Sequence, residues 1–521
     1  MKKKQAFIPY NQHQLNMLPI NLDDLIPENH MVRVVDAAID KMNTNPLFDK
    51  YEGGGRSAYN PVMMLKVIAY AYADKIYSSR NIAKATRENI NFLWLTGNTQ
   101  LEFTTINRFR AERLDGIIED IFAELVELLL KEQYIKYENY FLDGTKIEAN
   151  ANKYSWVWGK NTKRYKENLK QKVALHLKEI DSINEAENDE YQESDLPETG
   201  NGKEINSESI KEAAKKIDER LKDKPNDKQL KKAKKAIEKD YLPRMEKYEK
   251  QEEILESRKS YSKTDQNATF MRMKEDHMRN GQLKPGYNVQ IGTENQFITG
   301  FSIHQRPGDT STLKEHMEKL EKMHKGKLPR NVIADAGYGS EENYEYLLEQ
   351  DIVPYVKYNT FHKEASKKWR EDPAKAQNFG YDEETDTFYC TLGKALDFMY
   401  ESKRKSDNGH ESIIRIYGSK DCSHCPLREK CVSRDSTSGN RKIHVNRRLN
   451  ELKEIVRNLL LSDIGLEMRS LRPIEVESVF GNIKGNYGVR RFLLRGLPKV
   501  TIEWGLYSIG HNLRKMSASL G

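Results

Sequence analysis

Between Tyr287 and Val356 the chain spells out an order of elements that few architectures can accommodate. Tyr287 to Gly292 and Phe297 to His304 read as two strands joined by a turn at Thr293-Glu294-Asn295. Ser311 or Thr312 opens a helix to about Met323, and Asn331 to Ala334 is a short apolar strand ending at Asp335. Ser340 caps a helix to about Glu349, and Ile352 to Val356 is another strand. A strand also precedes the hairpin: YENYFLDGTKIEANA alternates aromatic and polar residues, breaks at Asp143-Gly144 and resumes through Lys146 and Ile147. Strand, hairpin, helix, strand, helix, strand predicts an α/β (α+β) fold, a mixed sheet with helices packed on it.

The rest of the chain divides around this sheet. At 521 residues and about 150 residues per domain, three or four units are expected. Residues 1–135 read as helical. Val32, Val35, Ile39 and Met42 recur at helical spacing, and Gly53, Gly54 and Gly55 form a flexible link. Asn60-Pro61 then makes an N-cap with proline at the first helical position. Ser79 is expected to cap NIAKATREN, and Thr104 or Thr105 to cap INRFRAERL. Short helices ending in one that carries Arg108, Arg110 and Arg113 resemble a helix-turn-helix laying a basic helix on DNA. The plainer reading is a bundle with a solvated arginine face. Residues 136–159 and 285–357 supply the first parts of the core. Residues 160–284 are a Lys- and Glu-rich helical hairpin with a floppy acidic centre, INEAENDEYQESDLPETGNGKE. Residues 358–450 lose readable order. Residues 451–521 return to helices that complete the core, the last of them, Pro498 to about Met516, capping the fold.

Charged residues make up 32% of the chain, the net charge is +7 and the pI is near 8.8. That mild basic excess favours a polyanionic partner. The opening MKKKQAFIPYNQHQ has a positive head, but Pro9, Asn11 and Gln12 interrupt any run of signal-peptide length. No stretch approaches the roughly 18 apolar residues that span a bilayer. A cytoplasmic protein without a membrane partner is expected.

Three segments each offer a carboxylate: FLDGTK with Asp143, VIADAGYGS with Asp335, and RPIEVESVFGNIK with Glu477. Asp143 and Asp335 close two strands of the expected sheet, where strand ends bring distant residues together. Singly, each is an ordinary turn or surface residue. Together they would repel unless divalent cations intervened. Two Mg²⁺ ions, or Mn²⁺ in their place, about 3.5 to 4 Å apart would suit phosphoryl transfer at a nucleic-acid backbone. Lys484, two helical turns after Glu477, is expected on the same face to grip a phosphate, and Arg472, Arg490 and Arg491 extend the basic surface.

The four cysteines cluster as Cys422-Ser423-His424-Cys425 and Cys431, with Cys390 upstream. A CxxC knuckle plus two thiolates predicts a closed structural Zn²⁺ site. Reduced cysteines or an iron–sulfur site are the alternatives, and His424 could replace Cys390. Trp156 and Trp158 are expected to pack rather than to stack on a base.

Long segments are similar to the DDE transposases of bacterial insertion sequences, most closely the family named after insertion sequence eleven-eighty-two. They are SAYNPVMMLKVIAYAYADKIYSSRNIAKATRENINFLWLTGN, FTTINRFR, FLDGTKIEANANKY, KPGYNVQ, VIADAGYGS and RPIEVESVFGNIKGNYGVRRFLLRG. The resemblance implies an RNase H-like core with Asp143, Asp335 and Glu477 as metal-binding catalytic residues. It also implies that Arg472 and Lys484 are the basic residues of the family's tyrosine, arginine, glutamate, lysine signature. Two departures stand out: four residues separate Arg472 from Glu477, one more than usual, and no tyrosine stands near Arg469. Glu475 is the rival third carboxylate. The partners implied are double-stranded DNA, as terminal inverted repeats and target, with a homodimer assembled on it and the protein then associated with the nucleoid. A metal-dependent nuclease without strand transfer and an inactive DNA-binding regulator are the competing functions.

Overall fold

Alternating apolar residues from Asn139 onward build a strand whose residues Tyr140 to Lys146 are mostly buried. The computed structural model describes residues 21–51, 57–191, 204–273, 283–406, 408–432 and 439–520. The opening segment, the Gly53 to Gly55 link and most of the acidic centre of the insertion lie outside them.

The strands are β1 (Asn139–Glu148), β2 (Trp156–Trp158), β3 (Ser260–Ser262), β4 (Thr269–Arg272), β5 (Leu283–Glu294), β6 (Phe297–His304), β7 (Asn331–Ala334) and β8 (Val353–Val356). A further set follows: β9 (Gly380–Asp382), β10 (Thr387–Tyr389), β11 (Ala395–Lys405), β12 (Glu411–Gly418) and β13 (Lys442–Val445). In the larger sheet β5 lies between β6 and β1, and β7 and β8 follow on β1's other side, with β4 also on β5. The pairs β6–β5 and β5–β1 are antiparallel, while β1–β7 and β7–β8 are parallel. This mixed α/β sheet is consistent with an RNase H-like core, and β6 and β7 run as their sequence predicts. The hairpin turn sits one residue later than expected, with Asn295 and Gln296 at positive φ.

One expectation about β1 is corrected. Asp143-Gly144 does not break the strand, because its ladder with β5 continues from Phe141↔Thr293 to Glu148↔Gly286. An Asp-Gly pair turns a chain that lacks a ladder partner, and here β5 supplies one.

Apolar side chains of the N-terminal helices, the larger sheet and the C-terminal helices form one core, with Val35, Leu65, Phe122, Val289, Val332 and Trp504 among its members. The last helix, Leu497–Leu520, is a buried pillar rather than a cap, packed against Pro61–Ala73, Ile118–Lys131 and β6. Its Asn512 amide donates to the Ile298 carbonyl and accepts from the Ile298 N–H, each at 2.8 Å. Asn60 caps its helix as expected. Ser78 rather than Ser79 caps the next, and the helix Phe103–Arg108 starts without a side-chain cap from Thr104 or Thr105.

The charged insertion has its own core, including Leu169, Val173, Ile217, Ile237 and Met245. It is built from Gly159–Tyr191, Ser207–Asp223, Lys228–Ala236 and Leu242–Leu255. The first helix runs well into the segment expected to be floppy. Residues 358–450 need the larger correction: β9 to β13 form a five-stranded antiparallel sheet in the order β13-β12-β11-β10-β9. Its strands escape a reading by hydrophobic alternation because β11, ALDFMYESKRK, is mostly exposed. Among the described residues no helix is long and apolar enough to cross a membrane.

Candidate active site

The register of the larger sheet brings two aspartates side by side. β1 and β7 pair as Asn139↔Asn331, Tyr140↔Val332 and Phe141↔Ile333. Two residues further along, the same offset sets Asp143 beside Asp335. On the other side β7 and β8 end at Ala334↔Val356, so the next residue, Lys357, stands beside Asp335. In-register residues on neighbouring strands share a face, which makes Asp143, Asp335 and Lys357 one row across three strands. Asp143 therefore belongs to the site even though it lies inside its strand.

The third carboxylate comes from a helix with an irregular turn. Asp463–Arg472 is followed by a π-helical segment, Pro473–Glu477, in which the Ser478 N–H bonds to the Pro473 carbonyl five residues back. In a regular α-helix, residues five apart point about 140° away from each other. A π turn closes that angle, which accounts for the extra residue between Arg472 and Glu477. Arg472 Nη1 donates to Glu477 Oε1 at 2.6 Å. The other end of the guanidinium, Nη2, lies 3.3 Å from Asp143 Oδ1 and 3.8 Å from Asp335 Oδ2. One buried arginine thus gathers all three carboxylates. Glu475 faces elsewhere: its buried carboxylate accepts from Gln296 N at 2.7 Å, and burial raises its pKa.

The acids outnumber the two cations Arg472 and Lys357 beside them. Tyr338 lies wholly buried beneath them. Burial first, then the charges of Asp309, Asp143 and Asp335, push its hydroxyl well above the ordinary phenol range, against Arg472. Lys357 adds a second cation to the row. Burial, then Arg469 and Arg472, lower its pKa, while Asp335 and Glu477 oppose the shift. Oxygen donors in negative excess fit hard divalent cations. The approach is also close around Gly144, where a Cβ would lie 2.7 Å from Asp309 Oδ1. Neither Lys357 nor Asp309 was anticipated from sequence. Lys357 becomes visible only through the register, and Asp309, inside PGDTS, reads as a turn residue.

The other basic residues fall into two groups. Arg490 and Arg491 are exposed where the chain returns to β1, with Glu148 N donating to the Arg490 carbonyl at 3.2 Å and Phe492 N donating to the Glu148 carbonyl at 2.9 Å. Lys484 is half-buried in a second π segment, Asn482–Asn486, so two regular turns do not separate it from Glu477. Arg108 is exposed, but Arg110 corrects the expected basic helix face. It is buried, donating to Tyr72 Oη at 3.1 Å, the Tyr77 carbonyl at 2.9 Å and Asn107 Oδ1 at 3.0 Å. Its helix turns that side inward because Ile106, Phe109 and Arg110 share the packed face.

Residues 389–517 match the family model of a transposase DDE domain, and residues 20–112 match that of a transposase domain. The two matches mark a DDE-type transposase. No curated protein and no solved structure matches the chain. The DDE match contains Arg472, Glu477, Lys484, Arg490 and Arg491, whereas Asp143 and Asp335 lie outside both matched segments. For a DDE-type transposase the substrate is DNA and a divalent metal is implied.

The cysteines come near one another. Burial, then Cys425, Cys390 and Cys422, push the Cys431 thiol up, with Arg441 opposing. Backbone amides approach two sulfurs, Lys394 N at 3.3 Å from Cys390 Sγ and Arg441 N at 3.5 Å from Cys422 Sγ. His424 is exposed. Among the described residues the tight three-donor grouping is a different one, Glu341, Glu345 and His410. There His410 Nε2 lies 3.3 Å from Glu341 Oε1, and Arg448 Nε lies 2.7 Å from Glu345 Oε1. These contacts dock the β11–β12 hairpin and the helix after β13 onto the core. Trp156 packs edge-on against Phe270 at 4.9 Å but stays exposed rather than entering the core.

Proposed function

We propose that this chain cuts and joins DNA strands at the ends of an insertion sequence, with Asp143, Asp335 and Glu477 as the catalytic carboxylates. The observation that carries the proposal is the Arg472 guanidinium spanning all three, in a chain matched by a transposase DDE domain. Two divalent cations, Mg²⁺ or Mn²⁺, held by these carboxylates would activate a water or a 3′-hydroxyl and stabilise the leaving oxygen. The chain's own part is positional. The Gly144 N–H, 2.8 Å from Asp143 Oδ1, and Arg472 fix the Asp143 carboxylate, while Gly337 N at 2.8 Å fixes Asp335 Oδ1. Lys484, Arg490 and Arg491 supply cations for the DNA backbone near the site, and Arg108 supplies one on the N-terminal helices.

Further parts of the same reading are that the terminal inverted repeats are bound by the N-terminal helices and that a homodimer assembles so that each end meets a site. Membership of the family named after insertion sequence eleven-eighty-two rests on the shared motif segments. A structural Zn²⁺ held by Cys390, Cys422, Cys425 and Cys431 is supported by their convergence.

The test is cleavage of duplex carrying the element's ends, with target DNA and Mg²⁺. Wild type should nick and then join strands, and Asp143→Asn should lose both by on the order of 10³-fold or more with its melting temperature unchanged. Equal activity in the two proteins would end the catalytic assignment. Nicking without joined products would favour a nuclease.

A further inference from the structure

We propose that Asp309 is a fourth carboxylate of the cation-binding pocket, resting on the assignment of Asp143, Asp335 and Glu477 as its other members. Asp309 lies on the connection between β6 and the helix Leu313–Met323. Its backbone carbonyl accepts from Thr312 N at 3.0 Å and Thr312 Oγ1 at 2.7 Å. Next to it, Thr310 Oγ1 donates to the Gly337 carbonyl at 2.6 Å, tying this connection to the one that follows Asp335. The loop is therefore fastened beside the row that holds Asp143 and Asp335.

The carboxylate itself is oriented by two wholly buried side chains of β5. Asn288 Nδ2 donates to Asp309 Oδ1 at 2.8 Å and Gln290 Nε2 donates to the same oxygen at 3.0 Å. Gln290 is in turn held by the buried hydroxyl of Tyr338, which donates to its Oε1. Both donors act on Oδ1, which leaves Oδ2 for the pocket. A Cβ placed on Gly337 would lie 2.9 Å from Asp335 Oδ1 and 3.8 Å from Asp309 Oδ2. One point in space thus reaches both acids, and only glycine leaves it open.

The chemistry of the residue argues for a cation rather than an anchor. An asparagine would satisfy both amide donors equally well through its carbonyl oxygen. A carboxylate adds a full negative charge beside Asp143 and Asp335, and neutral amides do not cancel it. Among the described residues no lysine or arginine forms an ion pair with Asp309. A divalent ion with six or more oxygen ligands removes the repulsion and gains a donor.

The experiment is calorimetric titration of Mn²⁺ into the full-length chain, compared among wild type, Asp309→Asn, Asp309→Glu and Asp143→Asn. Asp309→Asn keeps the acceptor for Asn288 and Gln290 but replaces the oxygen facing the pocket with an uncharged NH2. It should melt with wild type yet bind Mn²⁺ at least about tenfold more weakly. The Mn²⁺ concentration for half-maximal cleavage should rise in parallel, and Asp309→Glu should recover part of the affinity. If Asp309→Asn binds as wild type does while Asp143→Asn does not, Asp309 is excluded and the pocket stands. If neither variant alters binding, the three-carboxylate pocket falls with it. Should Asp309→Asn melt early, Asp309→Glu decides: restored Mn²⁺ affinity supports ligation, and continued loss overturns it.

Discussion

The two sheets of this molecule are held together by different means. In the larger one every residue of β6 and most of β5 are buried, between the helix Leu497–Leu520 and the remaining core. In the smaller one the buried apolar cluster is Phe379, Leu396, Tyr417 and Ile443, while Phe398, Met399 and Tyr400 remain exposed. A core of that size does not stabilise a sheet alone, and small units of this kind depend on staples. One is proposed and one is visible. The cysteines converge at one end, and Asp386 gathers Tyr381, Tyr417, Arg415 and Arg447, with distances of 2.8, 2.8, 2.7 and 2.8 Å. Burial of apolar surface gives the larger sheet a rigid row across neighbouring strands on which chemistry can be placed. Polar contacts, with the metal proposed at the cysteines, make the smaller sheet conditional on its surroundings.

The largest effect should follow from removing the thiol staple. With Cys422→Ser and Cys425→Ser, or with a strong chelator, amides of β11 and β12 should lose their slow hydrogen exchange while β1 and β5 keep theirs. Unchanged exchange in β11 and β12 would show that no metal supports this sheet. A smaller loss is expected from Asp386→Asn, about 1–2 kcal/mol confined to the same sheet, because the site is partly open to solvent. Exchange rates or a denaturant titration with a local probe would register it, and a global loss would contradict the separation of the two sheets.

Acid gives the mildest and most discriminating comparison. His511, buried with Nε2 2.9 Å from the Gln296 carbonyl, is held neutral, its pKa lowered by burial from 6.5 to about 4. The unfolded chain takes up that proton first, so this contribution is complete above pH 6.5 and declines as pH falls toward about 4. Asp386 behaves in the other range. Burial opposes, but hydrogen bonds from Tyr381 and Tyr417 and the charges of Arg415 and Arg447 hold its pKa below 3.8. Its contribution is present above that value and is lost as pH falls through the lowered pKa. Stability measured between pH 7 and 4 should therefore decline in the larger sheet first, and His511→Gln should flatten the decline. An unaltered profile in that variant would remove His511 from the account.

The same contrast governs what could be read in advance. β6 and β7 were legible because burial on one or both faces writes itself as apolar runs bounded by turn residues. β11, with its exposed KRK end, carries no such record, and its pairing depends on partners that precede and follow it. Glu477 and Arg472 were legible as residue types, but the π turn that faces them toward each other was not. Arg110 looked like a surface cation because its helix is short and charged, and only the packing of Tyr72 and Tyr77 around it turns it inward.

The amino-acid order alone pointed to a mixed sheet with helices, a mildly basic chain suited to a polyanionic partner, and three acids in segments that suit metal-assisted phosphoryl transfer. Tertiary structure decided which oxygens face one another. Strand register sets Asp143 beside Asp335, one irregular helical turn brings Glu477 onto the same arginine, and two buried amides orient Asp309 beside them. Such proximity arises from pairing between remote strands, and no local pattern of side chains encodes a register that both partners must jointly set.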